Sequence, residues 1–118
     1  MYLKNGRETG TDEFRRLIVG AGDLIVTEFA EQAPFSEGLY PRTTNTLRLL
    51  TMWDYDYGLP FVAAAAFRIG SERSFPVDNW KQGMGGYSAE VDLETGVLSR
   101  GASLQSDGRL EWYESHPE

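Results

Sequence analysis

Two arginines, Arg48 and Arg68, interrupt segments that are otherwise apolar, residues 46–53 and 60–69. Side chains alternate along a strand, so Arg48 shares a face with Thr46, Leu50 and Met52, and Arg68 with Ala66, Ala64 and Val62. The small neighbours of Arg68 leave open space beside its guanidinium. A cation in the middle of a strand needs an anionic partner, because an unpaired buried charge is very costly. Phosphate is one such partner, since a guanidinium grips it through two parallel N–H bonds. A structural ion pair with Glu28, Glu90 or Asp92 is the other.

The second chemical feature is Val77-Asp78-Asn79-Trp80-Lys81-Gln82-Gly83-Met84-Gly85-Gly86. Glycines entering a strand allow backbone N–H groups to converge on an anion, the nest geometry of phosphate sites. In such a nest Asn79 orients a phosphate or a metal-bound water, and Lys81 adds charge. The alternative is a loop whose glycines only satisfy a turn. Glu28, at the end of Val26-Thr27-Glu28-Phe29, is placed either to hold ribose hydroxyls or to be a solvated strand-end carboxylate. Asp54 and Asp56, flanked by tyrosines, read as turn residues, and Asp92 as the cap of the Glu94-Thr95-Gly96 turn. Trp53, Trp80 and Trp112 fall in different elements and are assigned to packing.

Composition removes several classes of chemistry. The 118 residues include no cysteine and a single histidine, His116. Disulfides, thiolate nucleophiles and cysteine-based metal sites are therefore excluded, and a Ser-His-Asp triad or histidine metal site is not expected. A net charge of −7 argues against a nucleic-acid partner, whose phosphates demand a basic surface. The longest apolar run, residues 59–67, is too short to span a membrane and reads as a buried strand. The N-terminus lacks the basic flank and apolar stretch of a secretory signal, so the expected location is cytoplasmic.

The elements that must position these residues are predicted as follows. Residues 2–4 form a short strand turning at Asn5-Gly6. A helix starts at Thr11, with Phe14, Leu17 and Ile18 at helical spacing, and stops at Gly20 and Gly22. Residues 23–29 read as a strand, and 31–41, broken by Pro34, Gly38 and Pro41, as a loop or short helix. Strands at 46–53 and 60–69 pair antiparallel across the turn 54–58. A polar, glycine-rich loop covers 70–86. Strands follow at 87–93 and 97–104, and Asp107-Gly108 turns into a last one at 110–113. The fold class is α+β, mainly antiparallel sheet with one or two helices, and the length suits a single domain.

Asn45-Thr46-Leu47-Arg48, Phe67-Arg68-Ile69-Gly70, Val77-Asp78-Asn79 with Gly85-Gly86, and Val91-Asp92-Leu93-Glu94-Thr95-Gly96 occur here in this order. The series resembles the central to C-terminal part of the sugar-transfer-associated ATP-grasp family, over nearly the whole chain. Ile25-Val26-Thr27-Glu28-Phe29-Ala30-Glu31-Gln32 resembles that family's hinge strand. The resemblance implies a fold holding ATP between two α+β subdomains, and activation of a carboxylate as an acyl phosphate. Glu28 would then belong to the adenosine-binding hinge. Arg48 and Arg68 would face the phosphates or the acyl phosphate, and Asp78, Asn79, Lys81, Gly85 and Gly86 would form the phosphate-side loop.

Relatives also carry phosphate-contacting lysines in an earlier portion, and Asp and Glu-x-Asn magnesium ligands in a later one. Neither is matched here. The resemblance thus implies a fragment of a larger ATP-grasp domain, inactive by itself, with ATP and Mg2+ expected only for the complete domain and no metal ligand assigned in this chain. Expected partners are a nucleotide and an unidentified small-molecule substrate, in polysaccharide or cell-envelope modification, without nucleic acid or membrane. The alternative is a non-catalytic ATP-grasp-derived binding or oligomerisation module, meeting a second copy through exposed strand edges.

Overall fold

The computed structural model describes residues 2–4, 7–22 and 30–118. Its elements divide between two compact units, Met1–Glu31 and Gln32–Glu118. In the first, β1 (Tyr2–Lys4) pairs antiparallel with β2 (Arg7–Thr9), Tyr2 opposite Thr9. The strand at β2 was not expected from the sequence, although the turn before it was. Helix α1 (Thr11–Gly20) begins where predicted, with Asp12 and Glu13 in its first turn, where carboxylates favour the helix dipole. The strand predicted at 23–29 lies outside the described residues.

The second unit is built on a meander. Strands β3 (Thr46–Asp54), β4 (Leu59–Ile69), β5 (Tyr87–Glu90), β6 (Gly101–Leu104) and β7 (Leu110–Tyr113) form one sheet in that order, each antiparallel to the next. A short helix, α2 (Pro34–Leu39), precedes them with proline in its first turn, where the missing N–H costs nothing. The protein is thus α+β with a dominant antiparallel sheet.

Three details depart from the prediction. Strand β5 stops at Glu90 rather than residue 93, and β6 starts at Gly101 rather than 97; only the bridge Val91–Leu98 joins the intervening segment. The reason is Asp92, whose Oδ1 accepts the N–H groups of Glu94 and Thr95 and the Thr95 hydroxyl, closing a tight turn early. Secondly, the β3–β4 register shifts between Leu50 and Thr51, leaving Ala63 as the extra residue of a bulge. Val62 therefore pairs with Thr51 and does not continue the Ala64–Ala66–Arg68 row. Thirdly, the apolar run 59–67 is only partly interior.

The core gathers at one end of the sheet: Tyr40, Phe67, Ile69 and Tyr87, with Leu39, Val91, Leu98 and Tyr113 against them. His116 stacks on Tyr40 with ring centroids 4.9 Å apart and meets the edge of Tyr87 at the same distance. Its Nε2 lies 2.8 Å from the Gly70 carbonyl while Nδ1 accepts the Glu118 N–H, which fixes the proton on Nε2. The far half of the β3–β4 ribbon lies outside this core. Leu47, Leu49, Leu50 and Met52 on β3, and Leu59 and Phe61 on β4, are exposed. Trp53 and Trp112, assigned to packing from the sequence, are 51% and 55% exposed. Trp80 is held by its indole N–H, which donates to the Ala102 carbonyl at 2.7 Å.

Asn45 joins α2 to the sheet. Its buried amide donates to the carbonyls of Ser36 and Tyr40, both at 2.9 Å, and accepts from the Thr43 hydroxyl at 2.8 Å and the Gly70 N–H at 2.9 Å. All four hydrogen-bonding positions of the side chain are filled. Gly70 must come close for this: a Cβ there would lie 2.1 Å from the Thr43 hydroxyl oxygen. Asn45→Ala leaves two carbonyls, a hydroxyl and an N–H unmet, and is expected to cost about 3 kcal/mol. Gly70→Ala pushes Thr43 away and should cost about 1–3 kcal/mol. Urea denaturation checks both; a loss within error of zero for Asn45→Ala would contradict this account.

The core tyrosines set an alkaline limit. Burial, then the Glu118 charge, raises the Tyr40 and Tyr87 hydroxyls. The hydrogen bond to Glu111, then burial, lifts Tyr113 to about 12. Raised phenols bind their protons more tightly when folded, so their contribution is complete below the ordinary value of 10.0 and lost as pH rises towards 12. Melting temperature should fall across that window, together with delayed tyrosinate absorbance at 295 nm. Glu111→Gln is expected to bring the Tyr113 transition earlier.

Candidate anion-binding site

The register of β3 and β4 places Thr46 opposite Arg68 and Arg48 opposite Ala66. Cross-strand partners project to the same side of a sheet, so the two arginines occupy neighbouring rows of one face, diagonal to each other. Their proximity is visible in the Arg68 guanidinium. Burial lowers its pKa most, the Asp78 carboxylate opposes this, and the positive charge of Arg48 lowers it further. The Arg68 guanidinium nevertheless stays cationic at physiological pH.

Arg68 is half-buried, and its Nη2 donates to the Asp78 backbone carbonyl at 3.1 Å. Its Nε–H is buried and has no hydrogen-bond partner among the described residues. Arg48 is exposed and makes no ion pair among the described residues. The structural ion pair expected as one alternative is not formed with Glu90 or Asp92. Glu90 is opposite Ala66, and Asp92 is committed to its own turn. Glu28, the remaining alternative and the predicted ribose ligand, lies outside the described residues.

A carboxylate whose charge acts on Arg68 is that of Asp78. It is 6% exposed, and its Oδ2 accepts the Thr46 hydroxyl in a short hydrogen bond. A parallel bridge between Thr44 and Val77 holds the neighbouring backbone in place. Asp78 therefore positions Arg68 from within the fold instead of projecting towards a ligand. Nothing in the sequence announced this contact, which joins residues 32 apart. A polar residue at the start of an apolar strand was the only available sign.

The glycine-rich loop is strapped to the sheet. Gly83 donates its N–H to the Leu104 carbonyl at 3.0 Å, Met84 donates to Lys81 at 2.8 Å, and the Gln82 amide reaches the Ser106 carbonyl. The N–H groups of Gly83 and Met84 are thus spent on carbonyls and do not converge on an anion, which corrects the nest expectation for them. Gly85 has a positive φ of 86°, and a Cβ on Gly86 would sit 2.3 Å from the Asn79 carbonyl oxygen. These glycines let the loop fold back on Asn79. The side chains of Asn79 and Lys81 are exposed.

The loop start, Arg68 and Arg48 are therefore brought together, whereas Lys81 and Asn79 have no demonstrated contact with the arginines. Asp54 closes a turn, its Oδ1 accepting the N–H groups of Asp56 and Tyr57. Among the described residues no group of three or more histidines and carboxylates gathers to hold a metal ion. These residues supply no magnesium site through which a step can be derived. No described helix is long and apolar enough to cross a membrane. Compared with known proteins, the chain matches no family model, no curated protein and no solved structure.

The arrangement predicts an asymmetry between partners. Asp78→Ala removes the negative charge beside Arg68 and the acceptor of Thr46, and should cost about 2–3 kcal/mol. Arg68→Leu removes one bond to a carbonyl together with an unmet donor, and should cost about 1 kcal/mol or less. Denaturation of the two variants side by side tests this; the opposite order would show that Asp78 does not serve Arg68.

Proposed function

We propose that this chain is the phosphate-facing section of an ATP-grasp-type protein that activates a carboxylate as an acyl phosphate. The observation that carries the reading is the pair of guanidinium groups on one sheet face, one with a buried N–H that is unfilled and the other with no acidic partner among the described residues. The two like charges disfavour each other, Asp78 offsets part of this at Arg68, and an anion bound between them would relieve the rest. The ordered motifs around Asn45, Arg68, Asp78 and Asp92 give the anion its proposed identity.

In this reading Arg48 and Arg68 bind phosphoryl oxygens and stabilise charge that develops during transfer. Their value lies in being positioned in advance, since a cation already in place costs no reorganisation at the moment of reaction. Asp78 and Thr46 orient Arg68, and the Gly85–Gly86 fold-back packs the loop against the Asn79 carbonyl. ATP supplies the phosphoryl group. The adenosine hinge around Glu28 and a role in polysaccharide or cell-envelope modification belong to the same proposal. A non-catalytic binding or oligomerisation module is the second reading, favoured by the exposed apolar ribbon of β3 and β4.

Thermal-shift titration separates the two. Tripolyphosphate is added to this chain, and Mg-ATP to the product of the complete reading frame that contains it. For a dissociation constant of about 1 mM, ~10 mM ligand adds about 1.4 kcal/mol of stability, a readily measured shift. Arg48→Ala and Arg68→Ala should each weaken binding about tenfold. A complete protein whose melting never responds to Mg-ATP would rule out the ligase reading and leave the second.

A further inference from the structure

Strand β3 is an edge strand: β4 lies on one side of it, and no described strand lies on the other. It is long for an edge, nine residues, and contains no proline, glycine or lysine. Natural edges of this length are usually protected by charge, proline or a covering element. Here the side chains from Leu47 to Trp53 are exposed on both faces. The neighbouring loop approaches this strand only at its start, through Thr44 and Thr46.

We propose that the free edge of β3 pairs antiparallel with β3 of a second copy, about a two-fold axis passing through Thr51. A second copy fits this edge because the strand complements itself. An axis perpendicular to the sheet preserves the face each residue presents, so even-numbered residues meet even-numbered ones. With Thr51 on the axis, Arg48 of each copy stands opposite Asp54 of the other. Leu50 stands opposite Met52, and Leu49 opposite Trp53. Two cross-strand ion pairs then bracket an apolar centre, the arrangement in which opposite charges and apolar pairs both contribute.

Neighbouring registers lose this match. An axis through Leu50 sets Arg48 against Met52, and one through Met52 sets Leu50 against Asp54. The two charged groups are also available. Arg48 has no partner among the described residues, and only the Oδ1 of Asp54 is engaged, by the turn amides. The planar guanidinium has five N–H donors, so one edge can take Asp54 while another faces an anion. The pairing joins the two five-stranded sheets into one and covers the open backbone of both edges. It does not depend on nucleotide binding.

Sedimentation velocity over a concentration series tests the proposal on the whole chain, with far-UV circular dichroism confirming that each variant is folded. The wild type is expected to show a monomer–dimer equilibrium. Arg48→Asp sets like charges against each other twice and should raise the dissociation constant about tenfold or more, as should Asp54→Arg. An equimolar mixture of these two variants restores both ion pairs and should form a heterodimer. Leu50→Lys, outside the turn that Asp54 closes, places two lysines at the apolar centre and should give a monomer. The proposal is overturned by a wild type that is monomeric at its highest soluble concentration. It is equally overturned by a dimer indifferent to Arg48→Asp and Leu50→Lys.

Discussion

The Asn45 amide is the constraint from which the geometry of this protein follows. One side chain with four hydrogen-bonding positions closes off the end of α2, the Thr43 hydroxyl and the backbone at the end of β4. A buried amide is tolerated only when satisfied in this way, because each unmet group in a low-dielectric interior costs what a lost hydrogen bond costs. Asn45 immediately precedes β3 and accepts the N–H of Gly70 immediately after β4. It therefore locks the open end of the two-strand ribbon. The register that follows is what puts Thr46 across from Arg68 and both arginines on one face.

Around that anchor the polar groups are of two kinds. Thr46 and Asp78 are turned inward and consumed by each other, which holds a negative charge beside Arg68 without forming a bidentate pair. Arg48, one row further along, makes no ion pair among the described residues. The face that carries both arginines also carries Glu90, opposite Ala66, in a chain whose total charge is −7. Placement on paired strands, not on the loop, fixes the register of the two arginines on one face.

Much of this was legible in the sequence, and the limits have physical causes. Alternation and turn chemistry located β3, β4 and β7, and the cap at Asp92 was readable because it acts within three residues. The same cap shortened β5 and β6, a competition between a local side-chain bond and the ladder that periodicity does not reveal. The bulge at Ala63 lies in a run of alanines, where no change of residue type marks a change of phase. The glycines near Asn79 were visible, but whether they expose amides or admit a carbonyl depends on the backbone of other segments. The Thr46–Asp78 contact has no local signature at all.

The position of the core relative to the ribbon carries the last step. Tyr40, Phe67, Ile69 and Tyr87 support only the anchored end of β3 and β4, near Asn45. Beyond Ala65 towards the turn, both strands rely on pairing with each other, and an isolated two-stranded ribbon is marginal in water. Leu, Met, Trp and Phe side chains there have no counterpart in a surface built only for solvation, where isolated apolar residues are normal but a continuous two-faced ribbon is not. The residues that resist solvation are the same ones that would lie at the centre of the self-complementary register. Arg48 stands where these demands meet, one turn of the pleat from the core-supported half and one from the exposed half. Arg48 is thus the one side chain that the proposed anion site and the proposed strand pairing would share, with separate edges of its guanidinium available to each.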